Sequence, residues 1–105
     1  NKTMNKIITD RTNEIIRLCV TYDVRNLYAF GSVCNSYFND SSDIDLLVVF
    51  DKNISIEKYT DNYFELHYQL EHLFKRKIDL MTDNSLSNPY LIQTIDQTKQ
   101  LIYAD

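Results

Sequence analysis

YAFGSVCNSYFNDSSDIDLLVVF, residues 28–50, holds the only glycine of this 105-residue chain, Gly31, at the junction between an apolar run and a serine. Ten residues separate Ser32 from Asp43-Ile44-Asp45, which opens a second apolar run, Leu46 to Phe50. Asn26 to Phe30 reads as a short strand ending at Gly31. Asp43 to Phe50 reads as a β-branched-rich strand, apolar on both faces after Asp45. A two-faced apolar strand belongs in the middle of a sheet covered by helices. Between the two strands, Asn35 to Asp40 reads as a helical turn and loop closed by Asn39-Asp40-Ser41-Ser42; if residues from about 33 start a helix, its N-terminus favours an anion.

Outward from this stretch, residues 5–22 predict one amphipathic helix. Ile8, Arg11, Ile15, Leu18 and Tyr22 recur at three-four spacing, and Ile7 and Cys19 widen the stripe. A long helix is expected from about Ser55 to Lys75, with Ser55 able to cap it and Ile56, Tyr59, Tyr63, Leu66, Leu70 and Leu73 on one stripe. Lys77 to Met81 predicts a third strand carrying Asp79. Asn88-Pro89 opens a last helix through Ile95, with Pro89 at its first position. Leu101-Ile102-Tyr103 reads as a fourth short strand or a segment closing over the core. The fold class is α/β (α+β): a small mixed sheet of three to four strands packed with helices, too few for a doubly wound fold.

The length predicts one domain over 1–105, with residues 1–3 a cloning remnant ahead of a native start at Met4. Apolar content of 44% with 25% charged residues is ordinary globular composition. No apolar run approaches the roughly 18 residues of a spanning helix, so no membrane partner is expected. Two cysteines suit a reduced, cytoplasmic protein, Cys19 as core filler and Cys34 as a loop residue. A net charge of −4 argues against a sequence-independent grip on nucleic acid. The one basic cluster, Lys75-Arg76-Lys77, suits the dipole at a helix end. If the protein handles phosphates, metal ions have to supply much of the positive charge.

Strand residues two apart share a face, so Asp43 and Asp45 project together while Ile44 turns into the core. Asp79 joins them if its strand lies alongside. Two unit charges about 4 Å apart cost about 4 kcal/mol at an effective dielectric near 20. Such a cluster protonates a member or binds cations. Hard oxygen ligands without histidine or thiolate suit Mg²⁺ or Mn²⁺, and a pair of such ions clamps a phosphoryl group. Gly31-Ser32 at a strand end lets backbone and hydroxyl approach a phosphate closely.

GSVCNSYFNDSSDID matches the G-S-x10-D-x-D signature of the DNA-polymerase-β-like nucleotidyltransferases. The chain resembles their minimal nucleotidyltransferase group, which includes antitoxins paired with HEPN-domain toxins. The resemblance covers almost the whole chain, from the leading helix through YAFGS, SDIDLLVVF, the long helix and KIDLM to the helix after Asn88-Pro89. It implies that Gly31, Ser32 and Ser42 hold the nucleotide. It implies also that Asp43, Asp45 and Asp79 bind two Mg²⁺ ions, with Asp79 helping to deprotonate the acceptor. The implied reaction moves AMP from ATP onto a tyrosine hydroxyl of a partner protein, a HEPN-type toxin. One departure stands out: many members carry an Arg and a second Gly soon after the serine, where this chain has Val33, Cys34, Asn35 and Ser36. The next basic residue, Lys52, lies beyond the strand.

His67 and His72 are five apart and do not share a helix face for a metal; His67 reads as a partly buried packing residue. Most of the eight tyrosines read as filler, with Tyr37 placed to stack on a base or to accept a nucleotide. A phosphoacceptor receiver domain needs about five βα units and is disfavoured. A small-molecule nucleotidyltransferase needs a further domain for its acceptor. The main rival is a binding module that neutralises its partner by occlusion. Retention of all three carboxylates favours catalysis.

Overall fold

The computed structural model describes residues 3–105; of the remnant expected at 1–3, residues 1 and 2 lie outside the described residues. A sheet of four strands forms in the order β3-β2-β1-β4, with β1 Val24–Phe30, β2 Ile44–Phe50, β3 Ile78–Thr82 and β4 Gln100–Ala104. β1 pairs antiparallel with both β2 and β4, and β2 pairs parallel with β3, so the sheet is mixed. The two-faced apolar run thus lies between two neighbours. Ile44, Leu46, Leu47, Val48 and Phe50 are all buried, and Leu101–Tyr103 joins the sheet as part of β4.

The larger core fills the sheet face covered by α2 (Thr12–Thr21) and α3 (Ile56–Phe74). Ile15, Cys19, Leu66, Leu70 and Phe74 meet Leu27, Ile44, Leu46 and Val48 there. A smaller cluster on the opposite face joins Phe30 and Leu47 to Ile95 of α4, Pro89–Thr98. Asp45 alternates with Leu46 along β2, so it projects to this second, thinner side. Among the described residues no helix is long and apolar enough to cross a membrane.

The single helix expected over 5–22 is two helices, α1 Lys6–Thr9 and α2. The break is polar in origin. The Arg11 guanidinium donates to Ile7 O at 2.9 Å and to Leu73 O at 3.4 Å and lies over the Phe74 ring, while Thr12 Oγ1 donates to Thr9 O. Arg11 therefore ties the junction to the C-terminal end of α3, although its spacing suggested a place on a continuous stripe. Ser55 caps α3 as expected, accepting from the Lys58 N–H. The far end of α3 stops at Lys75 in the left-handed region (φ 54°), in a chain whose only glycine stands at Gly31. Asn88 caps α4 by accepting from Tyr90 N–H and Leu91 N–H, with Pro89 at the first position.

β3 is an edge strand, and α3 closes its outer side. Ile78 N–H donates to Glu71 Oε2 (3.0 Å), His67 Nε2 lies 2.8 Å from Ile78 O, and the Tyr63 hydroxyl donates to Leu80 O. A carbonyl can only accept, so Nε2 is the protonated nitrogen of His67. Tyr63, His67 and Glu71 stand four residues apart, one row of the helix matched to alternate residues of the strand. His67 is thus a backbone partner of β3, more specific than a packing residue.

Candidate active site

Parallel pairing of β2 with β3 sets Asp45 opposite Asp79, and antiparallel pairing with β1 sets Asp45 opposite Phe30, the residue before Gly31. Three segments distant in sequence so meet around one carboxylate. Gly31 has φ +75°, and a Cβ built there would stand 2.3 Å from Asp45 Oδ2. No other amino acid combines that backbone with that approach at no cost. The only glycine in the chain is at the position where the site leaves no room for a side chain.

Asp45 is half-buried, hydrogen-bonded to Asp79, and its carboxyl is pushed up to about 6. Burial is the largest cause, followed by the charges of Asp79 and Asp43. Asp43, just ahead of β2, projects to the same side and pairs with Lys77 Nζ at 3.8 Å. The fold brings Asp45 and Asp79 into direct contact and holds Asp43 within electrostatic reach. Among the described residues no three His, Cys, Asp or Glu side chains converge as one metal cluster. The donor set still suits a hard divalent cation, since adjacent carboxylates with no histidine or thiolate among them offer hard oxygen ligands, and the crowding that raises Asp45 is relieved by a bound cation.

Gly31–Cys34 is a single turn of 3-10 helix, and Asn35 behind it is extended. No α-helix starts near residue 33, so the condition for a helix N-terminus favouring an anion is not met. The Ser32 carbonyl accepts from Asn35 N–H, while its hydroxyl has no partner among the described residues. Val33 and Cys34 are buried, 2% and 8% exposed, so Cys34 is a core residue rather than a loop residue. Ser42 Oγ accepts from Asn39 N–H at 3.0 Å and so closes the loop that delivers Asp43. Tyr37 in the same loop is 80% exposed.

Two residues of the basic cluster belong to this site. Arg76 Nη1 donates to Ser42 O (2.7 Å) and Asn39 O (3.0 Å), and the guanidinium lies over the Phe38 ring at 4.7 Å. Lys77 sits beside Asp43. Neither serves the helix dipole, because Lys75 has already turned the chain out of the helix. A signal for this existed in the sequence: Lys77 stands two residues before Asp79, as Asp43 stands two before Asp45, so parallel pairing brings the two together.

The family model described as Polymerase beta, Nucleotidyltransferase matches residues 13–105. A protein of Methanocaldococcus jannaschii, provisionally named a protein adenylyltransferase, is 37% identical over 82 residues, 78% of each chain. A solved structure provisionally named a minimal nucleotidyltransferase superposes with a TM-score of 0.71 at 22% identity, covering 95% of this chain and 98% of that one. The complex of tri-AMPylated Shewanella oneidensis HEPN toxin with MNT antitoxin gives a TM-score of 0.64 at 22% identity, over 93% of this chain and 73% of that one. The two structural likenesses carry the fold.

Proposed function

The chain belongs to the Polymerase beta nucleotidyltransferase family, and from that premise we propose that it transfers AMP from ATP to a tyrosine hydroxyl of a partner protein, as the antitoxin of a HEPN-type toxin. The observation that carries this reading is the carboxylate pair Asp45–Asp79, of which Asp45 packs against the side-chain-free Gly31. The naming of the M. jannaschii relative as a protein adenylyltransferase supports a protein acceptor. The AMPylated toxin in the S. oneidensis complex supports the choice of partner.

In this reading Gly31 leaves the backbone bare for the triphosphate, and the Ser32 hydroxyl is available to donate to it. Ser42 holds the loop at the nucleotide's edge. Asp43, Asp45 and Asp79 would hold two Mg²⁺ ions, which supply the positive charge that a chain of net charge −4 lacks. In the transfer, the acceptor oxygen bonds to the α-phosphorus as the bond to pyrophosphate breaks. Asp79, exposed at the sheet edge, takes the hydroxyl proton.

Calorimetric titration of ATP, with and without Mg²⁺, tests the site. Binding that needs Mg²⁺ and is lost in Asp43→Ala/Asp45→Ala is expected. A folded protein that ignores millimolar ATP would overturn the enzymatic reading. A second reading, neutralisation of the partner by occlusion, draws on burial of Val33 and Cys34. The resemblance leads one to expect near these positions an arginine that could bind phosphate; here the side chains fill the core. Intact-mass analysis with the partner separates the two, since only transfer adds the mass of an AMP group.

A further inference from the structure

Along α3, Ile56, Phe64 and Tyr68 expose 82%, 64% and 64% of their surface. With Thr60 they recur every four residues, so one ridge of the helix carries an apolar stripe that the fold leaves uncovered. His72 extends it, stacked on Tyr68 with ring centroids 6.5 Å apart. On one side of the ridge, Tyr59, Tyr63, Leu80, Thr82 and Ser85 line a groove of about 270 Å³. On the other side run Glu57, Asp61 and Glu65, all exposed and again four apart. Apolar anchors, a groove and one acidic flank lie side by side on a single face.

The adjacent sheet edge is partly closed to strand addition. The outward polar groups of Ile78 and the carbonyl of Leu80 are already bonded to Glu71, His67 and Tyr63. A partner strand therefore cannot add to β3 there without breaking those bonds. Docking at these residues has to proceed through side chains.

We propose that this face of α3 is the docking surface for a partner protein whose own surface carries an apolar ridge flanked by Lys or Arg. The inference rests on the protein-acceptor reading for the class of partner, and on the exposed stripe and acidic row for its chemistry. A second copy of this chain is a poor occupant: an antiparallel pair of α3 helices sets one acidic flank against the other, and each chain carries a net charge of −4. The C-terminal half of α3 runs beside β3, so a partner seated on the ridge lies next to the strand that carries Asp79, whose side chain projects to the opposite face of the sheet.

The test is fluorescence anisotropy with a labelled amphipathic Leu/Lys helix as probe, alongside its Leu/Glu counterpart. The protein is expected to bind the Leu/Lys helix and not the Leu/Glu one. Phe64→Ser/Tyr68→Ser should weaken binding at least about tenfold. Glu57→Gln/Asp61→Asn/Glu65→Gln should also weaken it and flatten its salt dependence. Asp10→Asn/Glu14→Gln/Asp96→Asn, the same charge change elsewhere, should leave it within about twofold. Equal loss from both charge sets, or no loss from Phe64→Ser/Tyr68→Ser with an unchanged circular-dichroism spectrum, overturns the proposal. So does sedimentation of the protein alone as a dimer that Phe64→Ser/Tyr68→Ser dissociates, which gives the face to a second copy. ATP titration of Phe64→Ser/Tyr68→Ser reads the nucleotide site separately: unchanged Mg²⁺-dependent binding with lost probe binding confines the effect to docking, and absent ATP binding in the parent protein strikes the catalytic reading alone.

Discussion

The Asp45 carboxylate lies against the Cα of Gly31, and two consequences follow from that contact. The first concerns Gly31 itself. In Gly31→Ala the new Cβ meets Asp45 Oδ2 at 2.3 Å and the backbone is held at φ +75°. The strain is about 1–2 kcal/mol from the left-handed backbone alone. Relief requires moving Asp45, so urea unfolding should show the stability loss and calorimetry a fall in Mg²⁺-dependent ATP affinity. The second concerns protons. Asp45 ordinarily titrates at 3.8 and is raised to about 6 in the fold, by burial first and then by Asp79 and Asp43. The folded state binds the proton more tightly than the unfolded chain, so Asp45 opposes folding once it is charged. Its contribution is most favourable below 3.8 and is lost as pH rises through about 6. Asp45→Asn should stabilise the protein above that pH by about 1–2 kcal/mol, after allowance for solvent screening of a half-exposed group. Thermal melts across the range check this: the variant's curve should lack the decline. Asp23 acts with the opposite sign, since Asn62 and Lys58 hold its carboxyl below 3.8 and that contribution disappears in acid.

The loop from Asn35 to Ser42 is the least regular element and delivers the most important residue after it. Its order depends on one side chain from elsewhere, Arg76, which bridges two of its carbonyls and covers Phe38. Arg76→Ala should cost about 1–2 kcal/mol. Hydrogen exchange at the Ser41 and Ser42 amides should rise, and Mg²⁺-dependent ATP binding should weaken because Asp43 loses its anchor. Arg76→Lys keeps a donor but gives up the planar stack, so it should recover part of the loss. Sequence periodicity reached the strands, α3 and α4 because their stripes are long and their caps local: Ser55, Asn88 and Pro89 each act within three residues. It did not reach the break at Asp10-Arg11, where a side chain binds a carbonyl 62 residues away. Nor did it reach the work of Arg76, whose partners lie 34 and 37 residues back. Local pattern carries local structure, and both failures are long-range bonds from a guanidinium to backbone.

For the molecule as a whole, the site was legible because strand alternation and register are simple counting rules. Asp43 and Asp45 were expected to share a face, with Asp79 joining them if its strand lay alongside, and the parallel pairing of β3 with β2 sets Asp79 opposite Asp45. What counting could not supply was the degree of convergence: Asp45 and Asp79 touch, whereas Asp43 leans to Lys77. On the proposed reading, a divalent ion between Asp45 and Asp79 would also attract Asp43. Below about pH 6 a proton on Asp45 relieves the repulsion between the carboxylates, and above it a divalent ion would do so in its place. Adding MgCl₂ should therefore raise the melting temperature well above the Asp45 pKa of about 6 and have little effect below it. Mg²⁺ and acid should relieve the repulsion at Asp45 by the same route and fail to add, and Asp45→Asn should abolish the Mg²⁺ response and the stabilisation gained as pH falls through about 6. Scanning calorimetry at two pH values, with Mg²⁺ and with EDTA, measures this directly. A shift of equal size at both pH values would mean that the ion binds the surface of an acidic protein rather than the pair beneath Gly31.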